Sequence, residues 1–218
     1  MAVIFGSIGT IVDTSELQRE AFNRAFAENG LDWHWDRESY RESLRQSGGR
    51  DRIEAEAARR GETVDAAAVH AAKSSIFRRM MEASQLVPRP GVAETIRAAR
   101  EAGRAVAFAT TTSRENVEGV LAAVADALGP NTFDLVADRG MVDASKPDPA
   151  IFRLVVERLG EGVVVEDNSD GVRAAVAAGL PCLAFPNENT AGHDFSGAVR
   201  IIEGALDPDE VLGMDPSA

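Results

Sequence analysis

The sequence predicts an α/β protein: an open, mainly parallel sheet with helices on both faces and an all-helical block inserted after its first strand. Three observations carry this. Ala2-Val3-Ile4-Phe5 is a short apolar run with no polar break, as a buried strand requires. Residues 14 to 88 then read as helix throughout. Beyond Gly91, apolar runs of strand length alternate with segments of helix length, which is the pattern of parallel strands joined by crossover helices. The α/β core therefore takes residues 1–13 and 89–218, and the helical block takes 14–88.

The elements follow in order. After the first strand, Gly6-Ser7-Ile8-Gly9-Thr10 reads as a tight loop of mostly small residues. A helix starts at Ser15, a candidate N-cap, puts Leu17, Ala21, Phe22, Ala25 and Phe26 on one face, and stops at Gly30. Trp33 and Trp35 belong to a connector whose rings pack between helices, with His34 between them as an ordinary histidine rather than a ligand. A helix over Arg37 to Gln46 precedes a glycine turn at Ser47-Gly48-Gly49-Arg50. Helices over Asp51 to Arg59 and Val64 to Ser84 complete the block, and Pro88-Arg89-Pro90-Gly91 ends it. Then come a helix (Val92 to Ala102), a strand (Ala105 to Ala109), a helix (Ser113 to Leu128) and a strand (Phe133 to Ala137). A helix (Pro149 to Leu159), a strand (Val163 to Val165), a helix (Gly171 to Ala178) and a strand (Cys182 to Phe185) follow.

Composition narrows the function classes. At 218 residues and 44% hydrophobic, the chain can bury a real core. Its net charge of −12 argues against a nucleic-acid partner, which needs a basic stripe. Solubility explains that charge more simply than an acidic-partner role does. The single Cys182, among hydrophobic neighbours, reads as a core thiol with no internal disulfide. The first residues run straight into a strand with no basic lead, and no apolar run approaches the span of a bilayer. The expectation is a soluble cytoplasmic protein without a membrane partner.

Ligands of open parallel sheets bind beyond the carboxyl ends of the strands, so each strand end matters. The first is Gly6 to Thr10, whose glycines let a backbone approach an anion, or which is simply a turn into the next helix. Thr110-Thr111-Thr112-Ser113 ends a strand and opens a helix, offering hydroxyls and N–H groups to a phosphate, or serving as an N-cap with spare threonines. Lys146 stands before Pro147-Asp148-Pro149, a rigid turn that fixes where its ammonium points, although most lysines are solvated. Glu166-Asp167 puts two carboxylates directly after three valines, where hard oxygens could hold a divalent cation, unless Asp167 merely caps a helix. Four polar strand ends on one rim are a stronger sign of a site than any one alone.

These residues resemble the haloacid dehalogenase superfamily of phosphohydrolases, in the group of β-phosphoglucomutases and xylulose-1,5-bisphosphate phosphatases. Ala109-Thr110-Thr111-Thr112-Ser113, Ser145-Lys146-Pro147 and Glu166-Asp167-Asn168-Ser169-Asp170-Gly171 are similar to the family's second, third and fourth motifs. Ala21-Phe22-Asn23, Gly30-Leu31-Asp32-Trp33, Ser47-Gly48-Gly49-Arg50-Asp51-Arg52-Ile53 and residues 190–198 resemble the xylulose-bisphosphate subgroup. The resemblance implies a Rossmann-like core and a helical cap that closes over a small phosphorylated metabolite, a sugar phosphate or bisphosphate. It also implies phosphate contacts from Ser7, Gly9, Thr110, Thr111 and Lys146, and substrate contacts from Asp13, Gly49 and Arg50. Arg50 suits a second phosphate because its fork binds two oxygens, although a solvated arginine after a glycine turn is an equal reading.

The departure from the family lies at the first motif, where Asp-x-Asp-Gly-Thr is replaced by Gly6-Ser7-Ile8-Gly9-Thr10. The resemblance assigns the first aspartate to attack on phosphorus and the second to proton transfer. Gly6 and Ile8 can do neither, and alternation along a strand points Ser7 to the other side. Gln18 and Ala150 also depart from the pattern, while Asp13 replaces a glutamate conservatively. Glu166, Asp167 and Lys146 leave a local charge of −1, against −3 in the family. A unit charge at about 4 Å is worth on the order of 4 kcal/mol near a surface, so an anion binds here more easily without metal. Mg2+, with at most Glu166 and Asp167 as carboxylate ligands, would be held weakly. Three readings stay open: a catalytically impaired phosphosugar or phosphate binder, a metal-dependent phosphohydrolase with relocated groups, and a non-catalytic interaction protein.

Overall fold

The structure, a computed structural model, describes residues 1–45, 48–129 and 131–214. In chain order it contains β1 (Ala2–Phe5), α1 (Ile8–Ile11), α2 (Ser15–Glu28), α3 (Arg37–Ser43), α4 (Gly49–Arg60) and α5 (Ala66–Glu82). It continues with α6 (Val92–Glu101), β2 (Val106–Ala109), α7 (Arg114–Ala123), α8 (Ala125–Leu128), β3 (Leu135–Ala137) and α9 (Ala150–Leu159). The last elements are β4 (Gly162–Glu166), α10 (Ser169–Ala177), β5 (Cys182–Ala184), β6 (Arg200–Ile201) and α11 (Pro208–Leu212). Contacts divide the chain into two compact units, Met1–Asp13 with Leu86–Ala218, and Thr14–Gln85. Residues 86–88 thus group with the α/β unit, whereas the sequence reading put them with the helices.

In the α/β unit the strands form one six-stranded sheet in the order β3-β2-β1-β4-β5-β6, with every pair parallel. This is the open α/β sheet the sequence predicts. Every residue of β1, β2 and β4 is buried, which is why these strands read as continuous apolar runs rather than alternating ones. Ile4, Ala107, Val164 and Cys182 pack with Phe152 and Val155 of α9 and Val172 of α10 into one core. The chain leaves β1 towards β2 on one side and later returns to β4 on the other. β1 is therefore where the winding reverses, and the crevice beyond its carboxyl end is where such sheets bind ligands.

The helical unit packs α2 and α4 against α5. Its core is aromatic: Trp35 meets Phe22 and Phe26, each at 4.9 Å between ring centroids, and Trp33 meets Phe26 at 5.3 Å. The two tryptophans fill the space between helices as their spacing implies, and His34 is exposed.

Several boundaries differ for local reasons. The first loop contains the helical turn α1, capped by Ser7, whose Oγ accepts from the Thr10 N–H. Thr14, not Ser15, is the N-cap residue of α2. The helix expected over Ser113 to Leu128 breaks at Val124 into α7 and α8. Asn168, not Asp167, caps α10. The short β6 and α11, and their polar flanks, gave no periodicity long enough to read. Gln46 and Ser47, the end of one expected helix and the start of the glycine turn, lie outside the described residues.

Candidate functional site

The site is built from the carboxyl ends of β1, β2 and β4 and the segment before α9. Because β1 lies between β2 and β4 with Phe5 paired to Phe108 and Val165, the residues that follow, Gly6, Ala109 and Glu166, meet at one rim. Lys146 closes it. Its ammonium donates to the carbonyls of Gly6 and Ala109 (3.0 Å to the latter) and to Glu166 Oε1 at 2.6 Å, and it stands 4.4 Å from the Phe152 ring centroid. Three protein oxygens therefore take its three protons.

Glu166 has no exposed surface. Its Oε2 accepts from the Asp167 N–H at 3.0 Å and from Asn168 Nδ2 at 3.1 Å. Burial pushes its carboxyl up to about 7 against the pull of the Lys146 ammonium. The side chain occupies ground that glycines leave free. A Cβ on Gly6 would stand 2.4 Å from Glu166 Oε1, and one on Gly171 would stand 2.0 Å from its Cδ. Asp167 is equally engaged: Oδ1 accepts from Ser7 Oγ at 2.6 Å and Asn168 Nδ2 at 2.9 Å, and Oδ2 from Asn187 Nδ2 at 3.2 Å.

Of the residues singled out in sequence, the structure brings together Gly6, Ser7, Gly9, Lys146, Glu166 and Asp167, with Thr110 next in chain to Ala109. Ser7 is a correction. Its side chain was expected on the far side of the strand end, but the chain leaves strand geometry at Gly6, so alternation no longer applies and the hydroxyl reaches Asp167. Thr110 is buried, donates its N–H to the Ala137 carbonyl at 2.9 Å and accepts from Thr112 N–H on Oγ1. Thr111 is half-buried, Asp13 is exposed, and Ile8 is buried in α1.

A resident magnesium ion does not fit these donors. Each carboxylate oxygen of Glu166 and Asp167 already accepts at least one internal hydrogen bond, and the Lys146 ammonium stands 2.6 Å from Glu166 Oε1, where it competes with a cation for that carboxylate. Among the described residues, no three His, Cys, Asp or Glu side chains are grouped to hold a metal ion.

In the helical unit, Gly49 begins α4 beneath His70, whose Nε2 would lie 2.7 Å from a Cβ at that position. Arg50 lies on the exposed face of α4, its Nε donating to Glu54 Oε1 at 2.8 Å. The sequence reading missed Lys73. It is buried, donates to Gln18 Oε1 at 3.0 Å and stands 4.7 Å from the Phe22 and Phe77 ring centroids. Burial, aided by repulsion from Arg52, brings its ammonium down to about 7.

Two more residues of the α/β unit escaped the sequence. Arg89 was taken as part of a proline breaker. It donates to the carbonyls of Gly9 (2.9 Å), Phe185 (2.7 Å) and Pro186 (2.7 Å), and its guanidinium lies 3.5 Å over the Phe185 ring. Burial lowers its pKa, while the charges of Asp167 and Asp13 oppose that. Asn187 follows β5, and reading the end of that strand as the others were read would have found it.

A sequence profile described as haloacid dehalogenase-like hydrolase matches residues 1–179. The chain is 39% identical over 225 residues to the protein CbbY of Cereibacter sphaeroides, covering 100% of this chain and 97% of that protein. It superimposes with a TM-score of 0.83 on the crystal structure of CbbY from Rhodobacter sphaeroides in complex with phosphate, at 39% identity over 93% of each chain. A single-residue variant of that protein, in complex with xylulose-1,5-bisphosphate, matches equally well. The chain is also similar to the crystal structure of a putative β-phosphoglucomutase from Thermotoga maritima, at 26% identity, a TM-score of 0.67 and coverage of 97% of this chain and 96% of that one.

Proposed function

The chain belongs to the haloacid dehalogenase-like hydrolase family, and from that premise we propose that it binds a phosphorylated sugar beyond its parallel strands without hydrolysing it. The observation that carries this reading is the end of β1. On the resemblance, Gly6 and Ile8 take the places of the family motif's two aspartates, and neither can attack phosphorus or pass a proton. What remains supports binding. On this reading Ser7, Gly9, Thr110 and Thr111 provide the phosphate-side hydroxyls and backbone, Lys146 the buried positive charge, and Asp13 a sugar-side contact. The phosphate and xylulose-1,5-bisphosphate held by the Rhodobacter protein support a sugar bisphosphate as ligand class.

The test is a phosphate-release assay with sugar phosphates and sugar bisphosphates, run beside a thermal-shift titration with the same compounds. No release above the buffer rate together with a saturable shift is expected; release that scales with protein would end this reading.

One contact favours turnover instead. Ser7 Oγ lies 2.6 Å from Asp167 Oδ1, which places a hydroxyl beside a carboxylate that could take its proton. If the assay does find turnover, this second reading requires it to vanish in Ser7→Ala.

A further inference from the structure

We infer that Lys146 is the resident cation of this rim: its ammonium, seated with Glu166 in the space that Gly6 and Gly171 leave open, balances the charge there, and the rim takes a phosphate without a divalent metal. The first clause stands on geometry alone; the last rests on the binding reading above.

Glu166 lies in a slot bounded by two glycines, since a Cβ on Gly6 or on Gly171 would overlap its carboxylate at 2.4 and 2.0 Å. It cannot step aside cheaply, for it has no exposed surface and is held on both oxygens by Lys146, the Asp167 N–H and Asn168. The absence of a carboxylate at position 6 is thus built into the packing of its neighbour. With that carboxylate gone, the Lys146 charge is matched by Glu166 alone. Asp167 remains as the second acid, and Ser7, Asn168 and Asn187 occupy its oxygens. A divalent ion entering here would compete with the six hydrogen bonds that these two carboxylates accept and face a buried ammonium 2.6 Å from one of its ligands.

Two measurements test this. Mn2+, as a stand-in for Mg2+, is titrated into the wild-type protein and free Mn2+ is read by electron paramagnetic resonance. No saturable site is expected up to millimolar metal; a saturable site that disappears in Glu166→Gln overturns the inference. In parallel, melting temperature is followed with inorganic phosphate in EDTA and in excess Mg2+. Equal shifts are expected, and a shift seen only with Mg2+ overturns it. If phosphate gives no shift in either buffer, the binding reading fails, and the Mn2+ titration still decides whether the ammonium has displaced the metal. The steric half has its own readout: Gly6→Ala should lower the melting temperature of the wild type by several degrees but hardly that of the Glu166→Ala variant. Equal losses in both backgrounds would mean that Glu166 does not exclude a side chain at position 6.

Discussion

Two opposite charges 2.6 Å apart, with 6% and 0% of their side chains exposed, make Lys146 and Glu166 the most consequential contact of the rim. Removing one partner of a buried pair leaves the other charge without compensation, which costs about 3–5 kcal/mol. Lys146→Met is expected to lose that much in urea unfolding, whereas an exposed pair such as Arg50 with Glu54 should cost under about 1 kcal/mol in Arg50→Ala. The slot around Glu166 also bears on any attempt to rebuild the family motif. Gly6→Asp with Ile8→Asp restores both acids on paper, yet the new side chain at position 6 meets Glu166. The double variant is expected to melt below the wild type and to release no phosphate from sugar bisphosphates; full activity at wild-type stability would mean that Glu166 moves freely.

Within elements, helix register brings together groups that are far apart in sequence. α5 carries Lys73 to Gln18 of α2 and buries its ammonium beside Phe22 and Phe77, with Arg52 and His70 as charged or titratable neighbours. The folded-state pKa, about 7, lies below the unfolded value near 10.5. Between those limits the unfolded chain keeps the proton that the native state has shed, so protons bound favour the unfolded state and stability rises with pH. Chemical unfolding from pH 7 to pH 10 should show the wild type gaining on Lys73→Met; parallel curves would mean that Lys73 is solvated. Arg89 works between elements, tying Gly9 after β1 to Phe185 and Pro186 after β5. Arg89→Ala leaves those carbonyls without that donor and should cost on the order of 2 kcal/mol by thermal or urea unfolding.

For the whole molecule, ligand binding is read as stabilisation of the native state. A sugar bisphosphate at a hundred times its dissociation constant should add about 2.7 kcal/mol, roughly 5–11 °C in melting temperature for a chain of this size. No shift with any sugar phosphate tried would favour an interaction protein with an idle rim. No helix among the described residues is long and apolar enough to cross a membrane.

The sequence by itself determined the sheet, the inserted helical segment and most of the rim, because buried strands and amphipathic helices write their periods locally and polar residues at strand ends interrupt them visibly. Lys146, Glu166 and Asp167 were legible for that reason, whereas the direction of the Ser7 side chain was not. Only the tertiary structure decided what those groups do to one another. That Glu166 lies against Gly6 and Gly171, that Ser7 turns to Asp167, that Arg89 and Asn187 join the site and that Lys73 is buried under aromatic rings all depend on contacts between residues distant in the chain. Such contacts are fixed by packing and by the need to satisfy buried charge, and no local period records them.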